Sequence, residues 1–432
     1  MDQLEKDVTQ TLQRYERFGI DLGLDRILWL LERLGSPHHR VPILHVAGTN
    51  GKGSVCAYLS AILTAAGYRV GRYTSPHLVH WTERICINEQ PIAVDRLLSA
   101  LAKVEAVIDG HQPSPTQFEV LTAAAWTIFA EAELDVAVIE VGLGGRLDAT
   151  NVCDRPLVSI ITSLSREHWQ RLGPTLSHIA REKAGILKAG CPAIIGPLPD
   201  EAAQVVRERI AALGCPAIWP SPAQLLPQER SAQGYPLAKV GEVTYPLPLL
   251  GAVQQTNSAL VIAAIEVLQT QGWNISTTAI QTGMAQARWP GRLQYSEWQG
   301  MPLLIDGAHN PAAAKALRQY VDQVHRGPVC WLMGMLSTKD HADIFQALLR
   351  PGDRLMLVPV GDHSSAQPTE LAALAQSTCE GLASCDTAET LIEGLQQLQR
   401  TATSTDFTVL CGSLYLIGEF LRLSHLEGAM LS

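Results

Sequence analysis

The sequence predicts an α/β protein of two domains, and three observations carry that prediction. Apolar strand-like runs alternate with helical patterns along most of the chain, which builds βαβ units on a mainly parallel sheet. The alternation breaks at Trp289-Pro290-Gly291-Arg292 and then resumes, as at a hinge. A chain of 432 residues also exceeds what a single hydrophobic core serves. The expected division is a larger N-terminal domain over 1–290 and a smaller doubly wound domain over 291–432.

Residues 1–16 and 24–35 read as amphipathic helices separated by Gly19-Ile20-Asp21-Leu22-Gly23. Ile43–Ala47 is an apolar strand that ends abruptly in Gly48-Thr49-Asn50-Gly51-Lys52-Gly53-Ser54, and a helix follows with Val55, Leu59, Ile62 and Leu63 on one side. Strands are expected at 69–74, 83–87, 134–141, 157–161 and 193–195, with helices at 94–108, 118–132 and 175–187. The run Leu134–Val141, interrupted only by Asp135 and Glu140, suits a strand buried on both faces. Residues 215–250, rich in Pro, Gln and Gly, predict irregular chain or short antiparallel strands, and helices return at 253–271 and 276–287. Beyond the hinge, strands are expected at 302–305, 328–333, 354–359 and 407–411, with helices at 311–325, 339–350, 368–377, 387–399 and 413–423.

The bulk numbers exclude several functions. A net charge of −9 without a Lys/Arg cluster argues against a nucleic-acid surface. The N-terminus is charged and helical in pattern, unlike a signal peptide, and no apolar run is long enough to span a bilayer. The nine cysteines are scattered without a C-x-x-C pair, as reduced thiols of a cytosolic protein would be. A cytoplasmic monomer without nucleic-acid or membrane partners is the expectation.

Strand, glycine-rich turn, lysine, hydroxyl and helix, in that order over 41–64, build a phosphate cradle. The glycines let backbone N–H groups converge on an anion, Lys52 reaches the outer phosphates, and the Ser54 hydroxyl joins a Mg²⁺ shell. The match is imperfect: Val46 stands where the usual pattern has its first glycine, and Gly53 separates Lys52 from Ser54. A ligand-free turn is the competing reading. Glu140 closes a buried strand, where ligands of open parallel sheets sit, and suits Mg²⁺ there or a simple turn cap. His168 is a proton carrier, a ligand or neither. Lys183, judged by its neighbours alone, is a surface lysine. Asp306 and His309, in Asp306-Gly307-Ala308-His309-Asn310-Pro311, line a second strand end or serve an Asn-Pro helix start, and Cys411-Gly412-Ser413 is another strand end of that kind. The G-x-G-x-x-G dinucleotide fingerprint is missing, which disfavours a redox cofactor.

Seven segments in order resemble the folylpolyglutamate synthase and dihydrofolate synthase family, relatives of the Mur ligases, and most closely its bacterial bifunctional members. They are GTNGKGS at 48–54, TSPHL at 74–78, ERI at 83–85, EVGLGGRLDATN at 140–151, REKAGI at 181–186, WPGR at 289–292 and DGAHNP at 306–311. The resemblance implies a Mur ligase-like pair of domains, a P-loop ATPase domain followed by a Rossmann-like one. It implies an ATP-dependent, ADP-forming ligase that joins L-glutamate to dihydropteroate and to reduced folates through an acyl phosphate, with Mg²⁺ as cofactor.

By position, the resemblance assigns Gly48, Thr49, Asn50, Gly51, Lys52, Gly53 and Ser54 to the phosphates, and Asn257, Arg292 and Asp306 to other ATP contacts. Ser54, Ser75, Glu140, His168 and Lys183 would surround two magnesium ions, Lys183 as a carbamylated lysine, which reverses the surface reading. Lys52, Glu140, His168 and Lys183 carry the catalysis. Asp21-Leu22-Gly23-Leu24, Thr116-Gln117-Phe118-Glu119 and Leu147-Asp148-Ala149 resemble dihydropteroate segments, Phe118 stacking on the pterin and Asp148 bonding its edge. His309 and Ser413 fall near the incoming glutamate.

The chain departs from the family where Val253 replaces a histidine, where Arg166-Glu167 precedes His168 in place of Leu-Asp, and where 361–365 lacks an arginine. Two rivals remain: a Mur-type or related ligase for another carboxylate, and a nucleotide-binding switch without ligase chemistry.

Overall fold

The computed structural model describes residues 3–16, 21–108, 110, 114–361, 364–401 and 406–430, with side chains through Ser424. Chain contacts separate two compact units: Met1–Pro248 with Val253–Arg288, and Leu249–Ala252 with Trp289–Ser432. The short Leu249–Ala252 stretch thus belongs by contact to the second unit, outside the expected boundary.

The first unit opens with helices α1 (Gln3–Gln13) and α2 (Asp25–Arg33), then strand β1 (Ile43–Ala47) and helix α3 (Lys52–Ala65). Strands β2 (Val70–Tyr73), β3 (Ile85–Ile87) and β4 (Gln90–Pro91) follow, then helices α4 (Val94–Val107) and α5 (Gln117–Glu131) and strands β5 (Val136–Glu140) and β6 (Val158–Ile161). Next come α6 (Trp169–Leu172), α7 (Leu176–Ala184), β7 (Ala193–Ile195), α8 (Asp200–Leu213) and β8 (Ala217–Ile218). Among the described residues these strands form one sheet in the order β4-β3-β2-β5-β1-β6-β7-β8, parallel from β2 to β8 and antiparallel from β2 to β4. Strands β9 (Gln224–Arg230), β10 (Pro236–Val240) and β11 (Val243–Pro246) make a separate antiparallel sheet, and helices α9 (Val253–Thr270) and α10 (Thr277–Gln286) complete the unit.

Every residue of β1 and β5 is buried, because helices cover both faces of a parallel sheet. One core packs α1, α2, α4 and α5; a second packs α7 and α8 beside β6 and β7. Helix α3 is buried along Gly53–Leu63, as a helix apolar all round should be. Helix α10 approaches it so closely that a Cβ on Gly283 would overlap the Ile62 backbone.

The second unit contains β12 (Gln294–Trp298), β13 (Met301–Ile305), α11 (Pro311–Val324), β14 (Val329–Met333), α12 (His341–Leu348), β15 (Arg354–Leu357), α13 (Pro368–Thr378), β16 (Ser384–Thr387), α14 (Leu391–Thr401), β17 (Phe407–Cys411) and α15 (Leu414–Met430). Its sheet runs β12-β13-β17-β14-β15-β16, antiparallel only at β12. Both units are therefore α/β with mainly parallel sheets, as expected. No described helix is long and apolar enough to cross a membrane.

Five elements escape the pattern reading: α6, α8, β4, β12 and β16. Helix α8 carries legible signals, Asp200 and Glu201 in its first turn and Gly214 ending it with φ 61°. The three strands and α6 are short or sit at sheet edges, where burial imposes little period.

Candidate active site

The organising feature is the turn between β1 and α3. Gly51 takes φ 90°, the left-handed region, and a Cβ there would lie 2.5 Å from Asn257 Oδ1, so both conformation and space require glycine. A Cβ on Gly48 would overlap Thr162 Oγ1. The turn is held from the C-terminal end of β6. Thr49 N donates to Ser163 O at 2.8 Å, Asn50 N to Ser163 Oγ at 3.1 Å, and Thr162 Oγ1 to Asn50 O at 2.7 Å. The sequence signal for those hydroxyls is a Thr-Ser-x-Ser cluster, Thr162–Ser165, at the end of a buried parallel strand.

Two lysines converge on this turn. Lys52 Nζ donates to the carbonyls of Gly48 and Thr49, both at 3.2 Å, and stands 3.8 Å from Glu140 Oε1. Lys183, on α7, donates from Nζ to the same Gly48 carbonyl at 2.7 Å. It is 6% exposed, so the surface reading of its neighbours is corrected: the apolar side of α7 carries this lysine inward with Ile179 and Ala180. Burial, then the nearby Lys52 charge, lowers its pKa to about 7, against the pull of Glu167 and Asp148.

Glu140 is buried at the end of β5 and accepts from Ser75 N at 3.3 Å. Ser54 is buried at the start of α3 and accepts from Gln254 Nε2 at 3.4 Å; Gln254 Oε1 accepts in turn from Asn257 Nδ2 at 3.1 Å. Gln254 therefore joins the site although only Asn257 was singled out, while the departing Val253 stays 46% exposed. The structure thus brings together Gly48–Ser54, Ser75, Glu140, Lys183 and Asn257. His168 has its side chain 45% exposed and 4.0 Å from Glu167, with φ 51° ahead of α6.

The Gly142–Asn151 loop lies directly against this group. A Cβ on Gly145 would meet Glu182 O at 2.8 Å, Arg146 pairs with Glu182 at 2.8 Å, and Asn151 Nδ2 ties Arg146 O to Gly185 O. Asp148 is 2% exposed, accepting from Leu143 N at 2.7 Å and Thr150 N at 3.0 Å. Its carboxyl pKa is raised by burial. Its carboxylate is thus engaged in shaping its own loop, whereas the pterin-edge contact would need an oxygen turned outward.

Arg26 joins two of the other expected substrate segments. Its guanidinium donates to the Asp21 carboxylate at 2.7 Å, to Asp21 O at 2.6 Å and to Glu119 Oε2 at 3.1 Å. Glu119 also accepts from Thr116 N at 2.7 Å in the cap of α5, and its other oxygen, Oε1, is buried without a partner. Leu24, Phe118 and Ala149 pack into one core, and the Phe118 ring edge covers Gly142. Leu22 and Leu143 lie against the neighbouring core. Segments 21–24, 116–119 and 147–149 are therefore contiguous, with Gln117, half-buried, reaching Leu12 O at 3.3 Å.

In the second unit Asp306 is buried and accepts from Leu293 N at 2.9 Å and Ala308 N at 2.8 Å. Burial raises its pKa against the opposing charge of Arg292. His309 Nδ1 donates to Gly307 O at 2.7 Å, Asn310 caps α11, and Ser413 is buried beside them, with Gly412 N donating to Ala308 O at 3.0 Å. Arg292, Asp306, His309 and Ser413 thus gather at the ends of β13 and β17. Of the departing 361–365 loop, positions 362 and 363 lie outside the described residues.

The donor set fits ATP and Mg²⁺. A glycine cradle at a helix start suits phosphate, and Mg²⁺ takes one or two carboxylates with hydroxyl and phosphate oxygens. Among the described residues no cluster of three His, Cys, Asp or Glu is present; Glu140 with Ser54 and Ser75 is instead the sparse set such an ion accepts.

Two family models match the chain: the Mur ligase middle domain over residues 46–265 and the dihydrofolate synthetase C-terminal domain over 292–423. The chain is 37% identical to dihydrofolate synthetase of Saccharomyces cerevisiae, over 95% of this chain and 100% of that protein. It resembles the structure of E. coli FolC in complex with DHPP and ADP, with a TM-score of 0.84 and 30% identity over 99% of this chain and 100% of that one. It also resembles a bifunctional folylpolyglutamate synthase/dihydrofolate synthase with Mn, AMPPNP and L-glutamate bound, with a TM-score of 0.81 and 33% identity over 97% and 98%.

Proposed function

The chain belongs to the dihydrofolate synthase/folylpolyglutamate synthase family of ATP-dependent ligases, and on that premise we propose how its residues divide the work of joining L-glutamate to dihydropteroate and reduced folates. The observation that carries the reading is the meeting of Lys52 and Lys183 on one carbonyl of the glycine turn, beside Glu140.

A carboxylate is inert to amines at neutral pH, so it must first be activated. A carboxylate oxygen of the pteroate attacks the γ-phosphorus of ATP; an acyl phosphate forms and ADP leaves. The glutamate amine then adds to the acyl carbon, and the tetrahedral intermediate expels phosphate while the nitrogen loses a proton. Backbone N–H groups of Gly48–Ser54 hold the phosphates, and Lys52 follows the charge on the transferring group. Ser54, Ser75 and Glu140 hold the divalent ion, with His168 at the rim. That ion, when bound, neutralises and aligns the phosphate oxygens. Asn257 and Gln254 steady the cradle, and the 21–24, 116–119 and 147–149 segments receive the pterin.

Lys183 acts as a carbamate in this reading. A neutral amine adds CO2 and releases a proton, turning a cation into an anionic ligand for a second ion. Its pKa of about 7 supports this, because much of the amine is neutral at physiological pH. In the second unit, Arg292 and Asp306 serve ATP, and His309 with Ser413 receives glutamate. The enzyme works as a cytoplasmic monomer.

The test is phosphate release with ATP, Mg²⁺ and L-glutamate, comparing dihydropteroate, tetrahydrofolate and no pteroate. Release with dihydropteroate establishes the synthase step, and release with tetrahydrofolate adds chain extension. Release with neither, from protein that binds ATP, sinks the assignment in favour of another carboxylate.

A further inference from the structure

Two cysteines outside the site face each other. Strands β7 and β8 are parallel neighbours with Ala193 opposite Ala217. Ala193 N donates to Pro216 O at 2.8 Å and Gly190 N to Leu213 O at 3.0 Å, so the alignment continues upstream of both strands. Cys191 and Cys215 each stand two residues before that alanine pair. They are therefore opposite one another in that register, and their thiols sit on successive carbonyls of one turn, Cys191 Sγ donating to Ala189 O at 3.7 Å and Cys215 Sγ to Lys188 O. Both converge on one acceptor: the Lys188 carbonyl takes Cys191 N at 3.1 Å and the Cys215 thiol at 3.2 Å. Each residue keeps 8% of its surface exposed, so a small reagent can reach the pair.

We propose that Cys191 and Cys215 form an oxidisable dithiol that closes to a disulfide with β7 and β8 left in place. Neighbouring strands lie about 4.8 Å apart, inside the Cα separation that a disulfide spans, roughly 4.4–6.8 Å. Closure breaks two S–H bonds and makes one S–S bond. An azo oxidant such as diamide takes the two electrons and two protons and becomes a hydrazine. Burial raises both thiol pKa values, so little thiolate is present at neutral pH and closure needs an added oxidant. The pair precedes β7 and β8, at the edge of the sheet away from the Gly48–Ser54 turn that follows β1. Closure therefore leaves ligase turnover within twofold.

The experiment treats the full-length reduced protein with diamide, quenches, denatures, and counts thiols with Ellman's reagent. Nine titratable thiols fall to seven, and a non-reducing peptide map joins the peptides bearing Cys191 and Cys215. Cys191→Ser and Cys215→Ser, each with an unchanged unfolding temperature, hold their count at eight under the same treatment. A wild-type count that stays at nine, or a bridge that uses Cys153 in place of either partner, overturns the proposal. Because thiols and not products are counted, its failure is separate from any failure of the ligase reading.

Discussion

Two strand ends in this molecule share a design and differ in how their polar groups are settled. In each, a buried parallel strand runs into a turn that starts a helix: β1 into Gly48–Gly51 and α3, β13 into Asp306–Asn310 and α11. In the second, Asp306 accepts two backbone amides and Asn310 caps the helix. In the first, two lysine ammonium groups are crowded onto one carbonyl, and one of them loses proton affinity until its pKa is about 7. Local rules are met at Asp306 and broken at Gly48. Breaking them costs stability that selection tolerates where chemistry needs it.

The sharpest way to break that comparison is to remove the crowded lysines. Lys183→Ala and Lys52→Ala should each lower the rate of phosphate release by about 10²–10³-fold, the usual loss when a charge-stabilising group leaves an active site. Lys103→Ala, which removes an exposed pair with Glu131, should stay within twofold. Wild-type turnover in a folded Lys183→Ala protein would leave the crowded turn without a catalytic meaning.

The same contrast explains what was legible in the sequence. The β1–α3 turn declared itself because Gly, Lys and Ser at fixed offsets have few other uses, and the fold class followed from runs such as Leu134–Val141. Lys183 did not declare itself by type: it falls at i+4 from Ile179 and i+3 from Ala180, on the buried side of α7, but a lysine there reads as a surface residue whose head reaches water. Only the resemblance pointed to it. Arg26 and Gln254 were missed for a related reason, since their partners lie 93 and 200 residues away. Helix α8 is legible in its first-turn acids Asp200 and Glu201 and its closing Gly214.

A smaller effect separates conformation from contact. Gly51→Ala meets both a left-handed backbone and Asn257 Oδ1 at 2.5 Å, so it should cost about 1–3 kcal/mol of stability and weaken nucleotide binding at least tenfold. Gly300→Ala has φ 84° with open space around it and should cost about 1 kcal/mol, with binding unchanged. Denaturant midpoints and nucleotide titrations read both. Equal stability losses would mean that the Asn257 contact adds nothing.

Asp306→Asn sharpens the other side. It leaves one carboxamide oxygen where two carboxylate oxygens accepted, so unfolding free energy should fall by about 1–2 kcal/mol. If Asp306 also touches ATP, as the resemblance implies, nucleotide affinity falls with it. A stability loss with unchanged affinity would make this strand end purely structural.

The most gradual effect is a pH trend. Unfolded, Lys183 has an ordinary lysine pKa near 10.4; folded, it titrates at about 7. Below pH 7 both states hold the proton, and the folded protein bears the full cost of a buried charge. Between 7 and about 10 the unfolded chain holds a proton that the folded one lacks, so stability rises with pH on this group's account. Lys183→Met removes the group and its trend. The stability of the wild type relative to Lys183→Met should therefore improve from pH 6.5 to 8.5, by no more than about 1.4 kcal/mol per unit. Paired denaturant melts at three pH values measure it. A flat difference would mean that Lys183 stays protonated throughout, and the neutral amine needed for carbamate formation would be missing.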